Sequence, residues 1–146
     1  MKVSDLMAKH VEFIDANATV QDAASLMGEL DVSALPIGTA DDLKGVITDR
    51  DILYRVVAEG KDPRRTPALQ VATKSIFSCK PEDPISTAMH LMASQNVRRL
   101  PVLDDAQRVV GWITLSDLSR HLLVESQVVQ GALTALTETV GADSKA

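Results

Sequence analysis

The chain is poor in aromatic residues and cysteine, and it has no excess of positive charge. Only 3% of its 146 residues are aromatic, so side chains that could stack on nucleic-acid bases are scarce. The formal net charge of -5 disfavours a polyanionic partner, because nucleic-acid affinity depends on clustered lysine and arginine. The single cysteine, Cys79, excludes an internal disulfide framework and a paired-cysteine zinc or redox motif. We therefore predict a protein of a reducing compartment with no nucleic-acid partner.

Signals for membranes and catalysis are lacking as well. No uncharged apolar run approaches the roughly 18 residues of a membrane-spanning helix, and the first ten residues lack the apolar segment of a secretory signal. The three histidines, His10, His90 and His121, show none of the spacings of zinc motifs. Neither Ser-x-x-Lys nor the G-x-S-x-G elbow of hydrolases occurs. The sequence thus predicts a soluble, cytoplasmic protein with no membrane partner, no metal site and no enzymatic activity.

What the chain does contain is an internal repeat. Residues 45–52 read G-V-I-T-D-R-D-I, and residues 111–118, which lie 66 positions later, read G-W-I-T-L-S-D-L. Upstream, L-P-I at 35–37 matches L-P-V at 100–102, and the one-residue change of offset falls in a polar turn, where an insertion costs little. The predicted organisation is repeat one at 1–60, a linker at 61–70, repeat two at 71–125 and an extension at 126–146.

Each repeat shows the same succession of periodicities. A short strand, at 11–14 or 76–79, precedes an amphipathic helix, and Asp83-Pro84 supplies a cap and a first-turn proline for the second of these helices. Two short apolar runs around a polar turn then predict a β-hairpin, followed by a helix whose apolar face in repeat one includes Leu53 and Val57. The sequence therefore predicts an α/β fold of two β-α-β-β-α units, packed with pseudo-twofold symmetry into one module.

The apolar pattern continues beyond the second repeat. Val128, Val129, Leu133 and Leu136 predict a helical extension, and residues 141–146 are expected to fray. A helix that packs on its own domain and a helix that makes an oligomer contact both remain open.

The repeated Thr-x-x-Asp element allows two interpretations. Thr48 to Asp51 and Thr114 to Asp117 lie where a strand turns into a helix, which fits a helix capping box. A threonine hydroxyl beside first-turn N–H groups also makes an anion site, and an aspartate one turn further on can accept hydrogen bonds from ribose hydroxyls. The duplication at equivalent positions favours a nucleotide-binding cleft over a cap alone.

The pattern G-φ-φ-T-x-x-D-φ, in which φ is apolar, follows a helix and a φ-P-φ strand and occurs twice about 65 residues apart. This resembles a pair of CBS domains, also called a Bateman module, over residues 3–125, and it is similar to the small stand-alone members of that family. The resemblance implies regulatory binding of adenosine-containing ligands in clefts between the repeats, a homodimer and an unidentified downstream protein. No cofactor is required: AMP, ADP or ATP is the expected regulatory ligand, and NAD and S-adenosylmethionine remain open.

The resemblance also implies site residues. Thr48 and Thr114 would contact phosphate or ribose, and Asp51 and Asp117 would accept hydrogen bonds from the ribose. Further implied contact positions are Arg50, Ser116, Arg98 and Arg99, and the candidates for an apolar adenine slot are Val11, Ile14, Leu35, Ile76 and Leu100. A place in the core is the other interpretation of these five apolar residues.

Repeat one departs from the family pattern at the arginines. Val32-Ser33-Ala34-Leu35 stands where repeat two has Val97-Arg98-Arg99-Leu100, so the resemblance does not imply two symmetrical phosphate sites. An arginine of one repeat can serve the cleft of the other, and a solvated edge strand is the alternative explanation. Two functions therefore compete: a sensor of adenosine compounds, and a ligand-independent module for dimerisation or protein interaction.

Overall fold

The computed structural model describes residues 1–145 and, within that range, all side chains except those at 129 and 138–145. The order of helices and strands is the same in the two repeats, which confirms the predicted fold class. The elements are α1 (Val3–Leu6), α2 (Val20–Leu30), β1 (Ala34–Gly38), β2 (Leu43–Thr48), α3 (Asp49–Ile52, continued by a π-helical turn at Leu53–Val57), α4 (Ala68–Val71), α5 (Ile85–Gln95), β3 (Arg99–Leu103), β4 (Val109–Thr114), α6 (Leu115–Glu125) and α7 (Gln127–Lys145).

Each repeat is built on an antiparallel hairpin with one buried face. β1 pairs with β2 so that Leu35 lies opposite Ile47, and β3 pairs with β4 so that Leu100 lies opposite Ile113. All four of these side chains are buried. A register shift occurs at the end of β1 and at the equivalent place in β3. The predicted hairpins are therefore present, and their buried faces form the centre of two similar hydrophobic cores.

The predicted first strand of each repeat is reduced to a single bridging residue. Ile14 donates to Pro36 O (3.0 Å) and accepts from the Gly38 amide (2.9 Å), and Cys79 makes the equivalent pair of bonds with β3. In a parallel ladder the next bond would come from the amide of residue 36, and proline has none. Pro101 stops the ladder at Cys79 for the same reason. Residues 11–13 and 76–78 thus run past the hairpin without pairing to it.

The segments that precede the two repeats are exchanged between the cores. Val3 of α1 is buried in the core of repeat two, whereas Ala68 of α4 is buried in the core of repeat one. Ala8 and Trp112 exchange backbone hydrogen bonds of 2.8 and 2.9 Å, and the equivalent pair, Thr73 and Val46, exchanges bonds of 2.9 and 3.0 Å. Residues 68–72, partly assigned above to the linker, therefore pack with repeat one in space. This exchange ties the two repeats together on both sides.

Helix starts and ends show how local chemistry sets the boundaries. α2 begins with a capping box in which Thr19 accepts from Asp22 N and Asp22 accepts from Thr19 N. At α5, Pro84 is the cap residue and lies one position before the helix, not in its first turn as the sequence suggested. The Asp83 carboxylate precedes the cap residue and accepts from the Lys80 amide at 2.8 Å instead of capping α5.

Apolar residues are exposed on the turn after α3 and on α7. In the π-helical turn after α3, Ala58 N donates to Leu53 O, five residues back, and this wider turn leaves Leu53 and Val57 exposed where the sequence predicted a buried face. α7 is helical through Lys145, including residues predicted to fray, while Ala146 lies outside the described residues. Val128, Leu133 and Leu136 of this helix are exposed.

Across residues 1–145, no helix combines the length and apolar character that crossing a lipid bilayer requires.

The glycine of each repeated motif is explained by the exchanged segments. A Cβ at Gly111 would lie 2.5 Å from Met7 Sδ and 3.0 Å from Ala8 O, and one at Gly45 would lie 3.2 Å from Thr73 O. We expect Gly111→Ala to lower the free energy of unfolding by about 1–3 kcal/mol through this overpacking, measured by urea denaturation. Gly131→Ala in α7 is the matched control, because no atom lies within 4 Å of its added Cβ. Equal stability of Gly111→Ala and the wild type would contradict the argument.

Candidate ligand-binding clefts

Both Thr-x-x-Asp elements form helix capping boxes at a strand-to-helix junction. Thr48 Oγ1 accepts from Asp51 N at 3.1 Å, and Asp51 Oδ2 accepts from Thr48 N at 3.0 Å. Thr114 and Asp117 make the same two bonds, both of 3.1 Å, at the start of α6. The structure therefore confirms that both elements are helix capping boxes. These bonds also fix the orientation of the threonine and aspartate side chains.

The cap uses only one carboxylate oxygen of each aspartate. Asp51 Oδ1 lies 3.9 Å from the Arg55 guanidinium, and Asp117 Oδ1 lies 3.9 Å from that of Arg120. Both distances exceed that of a hydrogen bond. The side chain of Asp51 is 11% exposed and that of Asp117 is 28% exposed, so both are partly shielded from water. Each Oδ1 thus remains able to accept hydrogen bonds from a ligand hydroxyl.

The two elements line two clefts that are equivalent under the pseudo-twofold symmetry. Cleft A, defined by Thr114 and Asp117, has a volume of about 900 Å³, and cleft B, defined by Thr48 and Asp51, has a volume of about 320 Å³. Both volumes lie in the range of small-molecule sites. Cleft A is further lined by Ala8, His10, Val11, Glu12, Leu30, Asp31, Val32, Ser33, Ala34, Leu35, Pro36, Leu115, Ser116, Ser119 and Arg120. Cleft B is further lined by Val46, Asp49, Arg50, Thr73, Ser75, Ile76, Phe77, Asn96, Val97 and Pro101.

Three residues line both clefts: Arg98, Arg99 and Trp112. Arg99 Nη2 donates to Ser33 Oγ of repeat one at 2.9 Å, so its guanidinium reaches across the boundary between the repeats. Burial lowers the pKa of Arg99, as does the neighbouring Arg98, while Asp49 and Asp51 of cleft B oppose the shift. An arginine pKa begins so high that the group stays cationic at neutral pH. A partly desolvated positive charge therefore lies between the clefts.

The structure brings most of the predicted site residues together. Thr48, Arg50 and Asp51 lie in cleft B, while Thr114, Ser116 and Asp117 lie in cleft A, and the arginine pair contacts both. Among the apolar candidates, Val11 lines cleft A and Ile76 lines cleft B. Leu35 also borders cleft A, but it is only 2% exposed and its side chain belongs to the core of repeat one.

Ile14 and Leu100 differ from the expectation of an adenine slot. Their side chains are 5% and 0% exposed, and they line neither cleft. Ile14 is the bridging residue beside β1, and Leu100 lies opposite Ile113 in the second hairpin. Both side chains therefore belong to the hydrophobic cores.

Sequence reasoning missed several lining residues. Trp112 reaches the clefts because its strand pairs with Ala8, a contact between positions more than 100 residues apart that no local pattern shows. His10 and Glu12, whose side chains are 2.6 Å apart, line cleft A, and Phe77 lines cleft B. Glu12 and Phe77 are equivalent positions just after Val11 and Ile76, so the repeat alignment was the signal that could have found them.

The clefts have the chemistry of a binding site for a small polar anion with an apolar part. Cleft A contains three arginines and three carboxylates, and cleft B contains three arginines and two carboxylates, beside apolar side chains in each. Among the side chains that the structure describes, no group of three or more His, Cys, Asp and Glu residues is placed to hold a metal ion. The arrangement supports recognition of phosphate, hydroxyls and a ring system.

The sequence matches the family model for the CBS domain at residues 3–58 and 68–124. It is 39% identical over 117 residues to the CBS domain-containing protein YhcV of Bacillus subtilis, covering 80% of this chain and 82% of the relative. It is 38% identical over 127 residues to hypoxic response protein 1 of Mycobacterium tuberculosis, covering 86% and 87%.

Solved structures show the same fold. The structure of Hypoxic Response Protein I with two coordinated zinc ions aligns with a TM-score of 0.72 and 36% identity, covering 83% of this chain and 98% of that one. The CBS domain pair of MJ0100, in complex with 5-methylthioadenosine and S-adenosyl-L-methionine, aligns with a TM-score of 0.78 and 26% identity, covering 86% and 98%.

The one cysteine, Cys79, is buried, and burial lowers the reactivity of its thiol. Burial, with the nearby Asp83 carboxylate, raises the pKa of the Cys79 thiol from 9.0 to about 11. At pH 8 we expect alkylation by iodoacetamide to be at least roughly a hundredfold slower in the folded protein than in urea, because the thiolate is the nucleophile. Since the folded pKa is the higher one, the thiol's contribution to stability is complete below about pH 9 and lost as pH rises toward 11. Equal alkylation rates in the two states would contradict the burial.

Proposed function

Because the chain belongs to the CBS domain family, we propose that it is a regulatory sensor that binds adenosine-containing ligands in clefts A and B. The observation that carries the proposal is the position of Asp51 Oδ1 and Asp117 Oδ1. Each is oriented by a capping box, lies beyond hydrogen-bonding distance of its arginine neighbour, and belongs to a cleft that Arg98 and Arg99 also line. A cap alone does not require the arginines or the clefts.

Each part of an adenosine nucleotide has a complementary group. The phosphate would bind Arg98 and Arg99, whose guanidinium groups can each make two parallel hydrogen bonds, together with the threonine hydroxyl at the helix start. The ribose hydroxyls would donate to the free oxygen of Asp51 or Asp117. The base would lie against Val11 in cleft A, and against the equivalent residue Ile76 in cleft B.

AMP, ADP and ATP are the ligands that we propose first. They share the adenosine group with the two compounds in the MJ0100 complex, and their phosphates give the arginine pair a partner. Binding would act as a signal only if the ligand has different affinities for two conformations or assemblies of the protein. On this proposal the chain is not an enzyme, and an unidentified downstream protein receives the signal unless assembly is itself the output.

The proposal extends to a homodimer. Leu53, Tyr54 and Val57 are exposed on the turn after α3, and Leu122, Leu123 and Val124 are exposed on α6, at the corresponding part of repeat two. Exposed apolar clusters on successive turns are typical of protein interfaces. A dimer that used Val57 in repeat one and Leu122, Leu123 and Val124 in repeat two would cover positions beyond the first turn of each helix, whereas the Thr-x-x-Asp elements lie at the helix starts.

Removing both aspartates tests the ligand sites. In wild type, ligand at about 100 times its Kd should stabilise the protein by roughly 2.7 kcal/mol, or about 5–10 °C in Tm. We expect one of AMP, ADP and ATP to give this shift, and we expect Asp51→Ala/Asp117→Ala to lose it, because the ribose contacts are gone. The measurement is thermal unfolding with and without each nucleotide.

A third capping box in the same chain supplies the matched control. Asp22 caps α2 through the same two bonds with Thr19 but lies outside both clefts. Asp22→Ala should lower stability by about 0.5–2 kcal/mol and keep the full nucleotide shift. If no adenosine compound shifts the wild type, and all three aspartates matter only as caps, the ligand-independent interaction module is the better description.

Charge introduced into the exposed apolar clusters tests the dimer. Val57 and Leu123 are equivalent positions, and both are exposed. We expect Val57→Glu and Leu123→Glu each to convert a dimer to a monomer at micromolar concentration, because an interface would desolvate the carboxylate. Size-exclusion chromatography with light scattering gives the mass. Ala93→Glu, at an exposed position of α5, should leave the dimer intact; a monomeric wild type would overturn the proposal.

A further inference from the structure

We propose that clefts A and B are coupled through one shared pair of arginines, so that a chain holds one phosphate-bearing ligand at a time. The inference rests on the proposed function and adds a regulatory property to it. Its basis is that the two repeats have equivalent backbones but different charges at equivalent positions. The clefts are equivalent in fold, but Arg98 and Arg99 line both, and the equivalent residues of repeat one are the uncharged Ser33 and Ala34.

The strength of the coupling depends on the charge that each cleft would have without Arg98 and Arg99. Apart from Arg98 and Arg99, cleft A is lined by one arginine and three carboxylates, and cleft B by one arginine and two carboxylates. Each cleft is therefore net negative on its own, which opposes a phosphate. Either cleft accepts an anion only while the shared pair faces it.

The remaining arginine of each cleft is occupied locally. Arg50 of cleft B stacks over the Tyr54 ring at 5.4 Å from its centroid, and Arg120 of cleft A lies 3.9 Å from Asp117 Oδ1. Both residues are exposed, so water screens their charges. Arg99, in contrast, is partly buried and held by Ser33 at the boundary between the clefts. Arg98 is exposed as well, but among the described side chains it has no local ring or carboxylate partner of the kind that Arg50 and Arg120 have, and it lies beside Arg99. Arg99, the least screened of these charges, is thus the main source of positive charge for either site, and Arg98 adds to it.

A guanidinium that binds a phosphate in one cleft cannot offer the same donors to the other. Two phosphates on either side of the pair would also repel each other. Binding in one cleft must therefore weaken phosphate binding in the second, and the effect is reciprocal because the two events share one coupling free energy. A ligand without phosphate lacks this competition and can occupy both clefts.

AMP and adenosine form the matched pair of probes, since they differ only in the phosphate. Calorimetric titration of the wild type should give one AMP per chain, with a second bound at least tenfold more weakly. Adenosine should bind both clefts, without one site excluding the other, followed through Trp112, the only tryptophan, which lines both clefts. In Arg98→Ala/Arg99→Ala, AMP should bind about as weakly as adenosine.

Single-cleft variants separate sharing from the simpler case of one functional site. Asp51→Ala disables cleft B and Asp117→Ala disables cleft A, and we expect each variant still to bind one AMP, because the arginines serve whichever cleft remains. Loss of all AMP binding in either variant would show that only one cleft is a site, and would overturn the coupling. Thermal unfolding without ligand verifies that each variant is folded.

An arginine placed in repeat one at the position equivalent to Arg98 should remove the competition. Ser33 is exposed and equivalent to Arg98, so we expect Ser33→Arg to raise the stoichiometry to two AMP per chain. A stoichiometry that stays at one AMP per chain would contradict the argument that the missing arginine of repeat one limits binding. Two equal AMP sites in the wild type would overturn the coupling and leave the proposed function standing, whereas no binding of any adenosine compound would overturn both.

Discussion

The exchange of the segments before each repeat is the constraint on which the rest of the structure depends. Ala8 completes the hairpin of repeat two, and Thr73 completes that of repeat one, each through a reciprocal pair of backbone hydrogen bonds. Alone, a repeat of about 60 residues would bury too little apolar surface to be stable. Because each core contains a piece that precedes the other repeat, neither repeat can unfold without disturbing its neighbour. The same segments, as they leave the exchanged bridges, run along the clefts and form part of their walls.

This arrangement explains how one short motif could serve both architecture and the proposed binding. The glycine is small because the exchanged segment passes over it, and the threonine and aspartate close a capping box at the following helix. Capping consumes Oδ2 of the aspartate and leaves Oδ1 oriented but not hydrogen-bonded to its arginine neighbour. A side chain held by its own helix loses little further conformational freedom when a ligand binds, which lowers the entropic cost of binding. On the proposed function, fold stability and ligand recognition would therefore depend on the same carboxylate.

Much of this could be predicted from the sequence, since repeat alignment and periodicity depend on local patterns. They located the hairpins, the helices on either side of each hairpin and the two repeated capping boxes, but not the short helices α1 and α4. Three features could not be predicted in this way. The first strands end after one residue because Pro36 and Pro101 lack the amide that the parallel ladder needs, and the sequence does not show which carbonyl faces that proline. The division of the five apolar candidates between core and cleft is the second feature: both roles were open, and Ile14 and Leu100 belong to the cores because burial depends on which face of the hairpin a residue occupies. Trp112 lies at the clefts through a pairing with Ala8 that is distant in sequence.

The two repeats have different side chains but equivalent backbone contacts at the starts of β1 and β3. Ser33 O accepts from the Asp49 amide at 2.9 Å, and Arg98 O accepts from the Leu115 amide at 2.7 Å, so equivalent backbone bonds hold the two strand starts in place. Side chains at these positions are free to diverge, because the backbone carries the structural contact. One repeat has a hydroxyl there that accepts a hydrogen bond from Arg99, and the other has the arginine pair itself. A symmetrical scaffold thus holds one central cluster of positive charge that lines both clefts, and this is what would make the two proposed sites chemically dependent although their folds are equivalent.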